Sequence, residues 1–336
     1  MSNFFLELML FFSKTVILVV FILILLAGIL ALFSKGKDNT KGRLSIKNLN
    51  KKYSKTRDDL SSEILSKEKL KQYFKTQKAN DKLQKKSSEE KSEKNIYVLD
   101  FSGDIKATAV ASLREEVTAI LGIATPKDEV VVCLESGGGM VHAYGLAAAQ
   151  LARLRDKAIP LTVIVDKVAA SGGYLMASVA NKILAAPFAI IGSIGVIVQL
   201  PNFHRLLKDN KVDFEQLTAG NFKRTLTIFG NNTKEGKEKL QEEIEEIHDL
   251  FKHAIQQYRP QLDINKVATG EHWLGMQAFD LRLVDEVKTS DDYLLENSKN
   301  ATLFALNYEI KKSFGSKLAS AMSMLKESVF HSSNLI

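Results

Sequence analysis

Cysteine is almost missing from this chain. Cys133 is the only one in 336 residues, which excludes an intramolecular disulfide framework and any multi-cysteine metal site. It lies in the apolar run Val130 to Leu134 and reads as a buried core residue. Histidine is sparse too. His142, His204, His248, His253, His272 and His331 include no His-x-x-x-His or His-Glu-x-x-His pair that would place two ligands on one helix face, so no metal is indicated. Neither Gly-x-Gly-x-x-Gly nor Gly-Lys-Ser/Thr occurs, and no cofactor is expected. The net charge of +7 has its excess just after the first hydrophobic run, without the interleaved aromatic residues of a base-stacking surface. Nucleic acid is therefore not an expected partner; membrane headgroups fit the basic segment better.

With 45% hydrophobic and 25% charged residues, the chain can bury a sizeable core in one or two domains. Thr15 to Ser34 is an uncharged run of 20 residues dominated by Val, Ile, Leu and Phe, enough at about 1.5 Å per residue to span a hydrocarbon core of about 30 Å. A cleaved signal peptide is the rival reading. It fails on the long apolar run, on Glu7 in place of a basic leader, and on the lack of an Ala-x-Ala site before Lys35. Residues 1–34 are thus expected to carry a single transmembrane anchor. Lys35, Lys37, Lys41, Arg43, Lys47, Lys51 and Lys52 follow it, and only Lys14 precedes it, so the positive-inside rule predicts a cytoplasmic remainder. Residues 35–94 read as a basic, solvated linker, partly helical around Ser61 to Leu83.

Ordered structure is predicted from Asn95 to about residue 290, with 291–336 as a tail in which Leu318 to Val329 could form a short amphipathic helix. Strands are expected at Asn95 to Gly103, Glu129 to Leu134 and Leu161 to Val165, with helices near Val110 to Leu121 and Val141 to Leu154. The uncharged run Ile183 to Leu200 invites a second membrane span. Pro187, Gly192, Ser193 and Gly195 divide it into short β-rich pieces, which fit the buried strands of an α/β core instead. Further on, Thr233 can cap a long helix that carries Leu240, Ile244, Ile247, Phe251, Ile255 and Tyr258 on one face and ends before Pro260. That stripe suits a core or a subunit interface.

Two glycine-rich turns carry the chemistry. Ser171 follows the strand at 161–165 and precedes Gly172-Gly173-Tyr174, so it sits at a strand-to-helix turn where the glycines can bring amide N–H groups beside its hydroxyl. A plain N-capping serine in a Gly-rich turn is the equal alternative at this point. Glu135-Ser136-Gly137-Gly138-Gly139 ends the preceding strand ahead of a helix N-terminus, an arrangement that suits a phosphate or an oxyanion.

Ala169-Ala-Ser171-Gly-Gly-Tyr174, Glu135-Ser-Gly-Gly-Gly139, Gly220-Asn-Phe-Lys223, Gly270-Glu-His-Trp273 and Leu283-Val-Asp285 together resemble the signal peptide peptidase A family over about residues 95–290. The resemblance implies an α/β fold of the ClpP/crotonase type with one N-terminal transmembrane helix, and a serine peptidase domain at 95–290. It implies Ser171 as nucleophile, Lys223 as general base, and N–H groups of Gly138 or Gly139 and of Gly172 as the oxyanion hole. It further implies a bacterial inner-membrane setting, peptide or unfolded-protein substrates such as signal-peptide remnants, and homo-oligomers that can build a site from neighbouring subunits. A periplasmic placement stays open beside the cytoplasmic one. A lysine base must shed its proton near neutrality, and bringing a pKa of about 10.4 to about 7–8 takes ~4 kcal/mol from burial and nearby charge. Two departures stand out: Gly137 replaces the usual proline of the Gly-rich loop, and Arg282 replaces the usual glycine before Leu283-Val-Asp285. The competing readings are a non-catalytic scaffold, a crotonase-type thioester enzyme, and a Ser-His variant using His142 or His204.

Overall fold

A computed structural model describes residues 2–34, 42–88, 94–220 and 222–310. The basic residues Lys35, Lys37 and Lys41 and the stretch 318–329 lie outside the described residues. In chain order the first elements are α1 (Ser2–Ser34), β1 (Arg43–Asn48), α2 (Leu49–Ile64), α3 (Lys67–Ser88), β2 (Asn95–Gly103), α4 (Val110–Leu121), β3 (Glu129–Ser136) and α5 (Val141–Asp156). The centre follows with β4 (Leu161–Val165), β5 (Val168–Ala170), α6 (Gly172–Ser178), β6 (Lys182–Ala185), β7 (Ile190–Gly192) and α7 (His204–Asp209). The chain continues through α8 (Lys234–Tyr258), α9 (Ile264–Val267), β8 (His272–Leu274), α10 (Gly275–Asp280), β9 (Glu286–Val287), α11 (Ser290–Asn297) and β10 (Thr302–Glu309).

Two units divide the chain, one comprising residues 1–43 and 309–336 and the other Leu44–Tyr308. In the first, α1 starts well before the expected Thr15, and its apolar window Met9–Leu26 is long enough, at about 27 Å, to cross a membrane. No other helix among the described residues meets that test.

The second unit is built on a mixed α/β sheet with the order β1-β10-β2-β3-β4-β6-β9, while β5 pairs with β3 and β7, and β7 pairs with β8. The pairs from β10 through β9 are parallel, and β7–β8 is antiparallel. Both sheet faces are apolar, as a parallel sheet covered on two sides requires. Leu99, Val132 and Val163 point to the larger core with Leu113, Tyr144 and Leu151 of α4 and α5, whereas Val98, Val131 and Ile164 meet Leu294 of α11 and the partly buried Leu49 and Tyr53 of α2. The run at 183–200 is resolved into β6 and β7, as its Pro and Gly breaks predict.

Within the expected linker at 35–94, α2 and α3 supply the helix anticipated around Ser61 to Leu83, while β1 and the start of α2 add ordered structure beyond that expectation. Edge pairing to β10 and the Asn50 side chain hold this segment: the Asn50 amide donates to Ser298 O at 2.8 Å and Ala301 O at 2.9 Å, and its oxygen accepts from Leu303 N at 2.8 Å. The ordered domain likewise runs past residue 290, because β10 pairs in parallel with β2, Thr302 beside Asn95 and Leu306 beside Leu99.

Arg282 shows how the fold accommodates a residue where glycine is usual. Leu283 N donates to Ala278 O at 2.8 Å and Arg282 N to Phe279 O at 2.9 Å, a Schellman ending of α10. Arg282 sits at its left-handed position with φ of 61°. A left-handed non-glycine residue costs about 1–2 kcal/mol. Arg282→Gly is therefore expected to raise the unfolding free energy by about 1 kcal/mol. Urea unfolding of the full chain in detergent, followed by fluorescence of the single tryptophan, Trp273, measures it; an unchanged or lower midpoint would show that the position carries no strain.

Candidate active site

The carboxyl ends of β2, β3, β4 and β5 and the turns that leave them form one rim of the sheet. Ser136, the last residue of β3, is in register with Ala169 of β5, which brings the Gly137-Gly138-Gly139 loop beside the turn that begins at Ser171. Ser171 links β5 to α6 with φ of 52° and ψ of −121°, a backbone conformation that L residues avoid. Neighbouring contacts impose it. Ser171 N donates to Gly192 O at 2.8 Å, and Leu175 N donates to Ser171 O at 3.0 Å.

The N-capping alternative for Ser171 is not what the geometry contains. Ser171 occupies the N-cap position of α6, yet its side chain accepts no cap hydrogen bond, and its hydroxyl has no hydrogen-bond partner among the described residues. The half-buried hydroxyl is held by a strained turn and left uncommitted. The N–H of Gly172, at the first turn of α6, is uncommitted as well among the described residues.

Glycine is required around this hydroxyl for reasons of space. A Cβ on Gly138, whose φ is +88°, would lie 2.7 Å from Ser171 Cβ and 2.9 Å from Gly172 N. One on Gly139 would lie 2.1 Å from Ile105 O, and one on Gly172 would lie 2.4 Å from Cγ of Tyr144. The loop lies against the backbone of the Ser171 turn, and α5 reaches that turn through the Tyr144 side chain. Of the loop amides, Gly138 N–H donates to Ser136 Oγ at 3.0 Å and points into the fold, whereas Gly139 N–H has no partner among the described residues. This separates two glycines that the sequence leaves equivalent.

Residues without an expected role complete the rim. Ser136 Oγ also bonds the Tyr144 hydroxyl, which donates to Asp104 O at 2.8 Å. Burial, with the Asp104 charge adding to it, holds the Tyr144 phenol above its ordinary pKa, so it remains a neutral donor. Gly192, with φ of +103°, lets Trp273 approach so closely that a Cβ there would lie 2.8 Å from the indole. Ser193 N donates to Glu271 O at 2.7 Å, so Gly270-Glu-His-Trp273 braces the strand that holds Ser171 N. Hydrophobic patterning marks Tyr144 only as an apolar-face residue of α5, and the resemblance includes Trp273 in a motif without giving it a role; their service to the turn depends on a register that neither contains.

Lys223 is at the surface. It lies in an irregular excursion between β7 and α8, its side chain is exposed, and its N–H donates to Gly220 O at 3.2 Å. No hydrogen bond joins it to Ser171 among the described residues. His204, at the start of α7, is in the same excursion, while His142 is exposed on the first turn of α5. The thiol of Cys133 is mostly buried, and burial pushes it up to about 12, which keeps it protonated and unreactive at neutral pH.

Family comparisons add to this geometry. Residues 3–151 match the family model described as peptidase family S49 N-terminal, and residues 153–303 match peptidase family S49. The Probable protease SohB of Haemophilus influenzae is 48% identical over 312 residues, covering 90% of this chain and 88% of its own. The Probable protease SohB of Buchnera aphidicola subsp. Schlechtendalia chinensis is 46% identical over 303 residues, covering 87% of this chain and 99% of its own. Among solved structures, the 1510-N membrane-bound stomatin-specific protease with a substrate peptide matches with a TM-score of 0.45 at 15% identity, covering 69% of this chain and 99% of that one. The two family models run from the anchor helix to β10 and so take in both Gly-rich turns and the strands that carry them, and identity of this extent along nearly the whole chain shows that it belongs to peptidase family S49.

Proposed function

We propose that this S49 serine protease is a membrane-anchored endopeptidase in which Ser171 is the nucleophile, Lys223 the general base, and the N–H groups of Gly139 and Gly172 hold the oxyanion. The observation that carries the reading is the uncommitted Ser171 hydroxyl on a strained strand-to-helix turn, beside an uncommitted Gly172 N–H. Ser171 Oγ attacks the peptide carbonyl carbon while its proton passes to neutral Lys223. The carbonyl oxygen gathers negative charge against the two amides. The C–N bond then breaks, Lys223 returns the proton to the departing amine, and water cleaves the acyl-serine ester by the same route. Gly138, whose amide is turned inward, serves as the residue thin enough to let the loop touch Ser171.

A lysine base needs burial, and Lys223 is exposed on the single chain. The missing cover is assigned to a second copy in a homo-oligomer. The excursion that carries Lys223 exposes Ile197, Leu206, Val212, Leu217 and Phe222, and only the last turns of the α8 stripe reach the core, with Ile255 fully buried. So many large apolar side chains exposed in one segment suit an interface with a second copy. The substrate class assigned is unfolded or membrane-derived peptides, held near an inner membrane by α1, with the basic flank favouring the cytoplasmic face.

The test is hydrolysis of an unstructured fluorogenic polypeptide by the full chain in detergent. Lys223→Ala is expected to lower kcat by about 10²–10⁴-fold. Mixing inactive Ser171→Ala with inactive Lys223→Ala, with time to exchange subunits, is expected to restore part of the activity if a site draws on two copies. Wild-type rates in Lys223→Ala would remove the assigned base, and a mixture that stays inactive would place both residues in one copy.

A further inference from the structure

We infer that Tyr144 is a positioning residue for the oxyanion loop, acting through Ser136 and not on the substrate; the role rests on the serine-peptidase reading above. Tyr144 is fully buried on α5, and its hydroxyl is the junction of three segments at the rim. It donates to Asp104 O at 2.8 Å, so the proton in its bond with Ser136 comes from the serine, and Ser136 Oγ in turn accepts Gly138 N–H at 3.0 Å. The relay runs in one direction: Gly138 N–H to Ser136 hydroxyl, Ser136 hydroxyl to Tyr144 hydroxyl, Tyr144 hydroxyl to the Asp104 carbonyl. Linked hydrogen bonds in a buried setting strengthen one another, and each link left without its partner is costly.

The relay determines which loop amide faces inward. With Gly138 N–H drawn to Ser136, the Gly137–Gly138 peptide is fixed, and the adjoining Gly139 N–H stays without an internal partner, available to a developing negative charge. Main-chain bonds pin the far side of the loop, where Met140 N donates to Ile105 O at 2.8 Å. The near side depends on the Ser136–Tyr144 pair. Tyr144 also forms the floor beneath Gly172, since a Cβ on that glycine would lie 2.4 Å from Cγ of the ring. One side chain thus sets the distance between both assigned oxyanion donors.

Tyr144→Phe separates these duties. The ring and its packing under Gly172 remain, and only the hydroxyl is lost. The Ser136 proton is then left with Gly103 O at 3.5 Å, too long to hold it firmly. The full chain in detergent is compared with Tyr144→Phe, Ser136→Ala, the double variant and Ser171→Ala, measuring kcat, KM, thermal midpoint and inhibition by a peptide boronate, whose tetrahedral adduct places an oxygen where the oxyanion forms. Tyr144→Phe and Ser136→Ala are each expected to lower kcat about 10- to 100-fold with KM within about twofold. Boronate affinity should fall by the factor lost in kcat/KM, and the double variant should be no worse than the poorer single one, because both cut one relay.

Wild-type kcat in Tyr144→Phe beside an inactive Ser171→Ala overturns the role of Tyr144 alone. Hydrolysis that persists in Ser171→Ala overturns the peptidase reading and this role with it. A loss in KM or thermal midpoint that accounts for the whole effect, with boronate affinity unchanged, makes Tyr144 structural only. If Tyr144→Phe does not fold, Ser136→Ala decides the matter, since it cuts the same relay without touching the floor under Gly172.

Discussion

Replacing Ser171 by glycine is expected to abolish hydrolysis and stabilise the fold in the same step. Removing a serine nucleophile costs roughly 10⁶-fold in kcat in a peptidase of another family. The gain in stability has a separate origin. Ser171 holds φ of 52° and ψ of −121°, and a non-glycine residue in such a conformation carries about 1–3 kcal/mol of strain. Glycine relieves that strain and gives back about 0.5–1 kcal/mol in unfolded-chain entropy, leaving a net gain of about 1 kcal/mol. Ser171→Ala is the control: it loses the hydroxyl and keeps the Cβ on the same backbone, so activity should vanish with no stability gain. Chemical unfolding of the three proteins, read by Trp273 fluorescence, orders them. If Ser171→Gly proves no more stable than Ser171→Ala, the turn is not strained and the Ser171 hydroxyl is not being held against a backbone preference. The strain is sustained by contacts on every side: Gly192 O on Ser171 N, Leu175 N on Ser171 O, and Gly138 against Ser171 Cβ.

The same contrast between local and distant causes decides what the sequence reveals of the fold. β2, β3 and β4 are runs of Val, Ile and Leu, and α8 has a Thr233 cap and a stripe at helical spacing, so both kinds of element are legible where they stand. Pro187 likewise separates β6 from β7, and Gly192 ends β7, within the apolar run that could pass for a membrane span. β1 and β10 are not legible in this way. β10 gains its place from β2, whose sequence lies some 200 residues earlier, with Thr302 beside Asn95. β1 is short and contains Arg43 and Lys47, and its ordering rests on an edge pairing and on one asparagine, Asn50, three of whose hydrogen bonds reach residues 298–303. Composition records the charge of such a segment and not the edge it fills.

At the site, the turn at Ser171 is legible because Gly172 and Gly173 announce a tight backbone. The inward direction of Gly138 N–H is not, since it depends on Ser136 and Tyr144 meeting across eight residues of chain, with a third partner, Asp104, on another strand's loop. Motif resemblance names Lys223 as base, yet among the described residues its side chain is exposed. Its environment is a property of whatever packs on the 196–229 excursion, which no reading of a single sequence contains.

Asp285→Ala is expected to destabilise the fold by about 3–5 kcal/mol, and Arg259→Ala distinctly less. The two side chains form a bidentate pair, with Arg259 Nη1 and Nη2 each donating to a carboxylate oxygen at 2.8 Å. Their exposure is unequal: the Arg259 side chain is 3% exposed and that of Asp285 30%. Removing Asp285 leaves a buried guanidinium with only neutral acceptors among the described residues, Arg282 O at 3.1 Å and the Gln261 side-chain oxygen at 3.1 Å, and also deprives Ile183 N of its carboxylate acceptor at 2.7 Å. Removing Arg259 leaves a carboxylate that water can reach and that still accepts from Ile183 N, so less is lost. The pair joins the end of α8 to β6 and to the segment 282–285, and Leu283 O in that segment accepts the Tyr174 hydroxyl of α6 at 2.8 Å. Burial raises the Tyr174 phenol above its ordinary pKa, so this donor stays protonated and keeps α6 anchored. Loss of Asp285 should therefore reach the Ser171 turn through Tyr174, lowering kcat along with stability. Urea unfolding of both single variants and the double, beside peptide hydrolysis, measures the effects. The double should be milder than Asp285→Ala alone, because it removes the stranded charge. If Arg259→Ala is the worse of the two, desolvation of the guanidinium is not what sets the cost, and the lost packing of its stem against α8 and the 282–285 segment is.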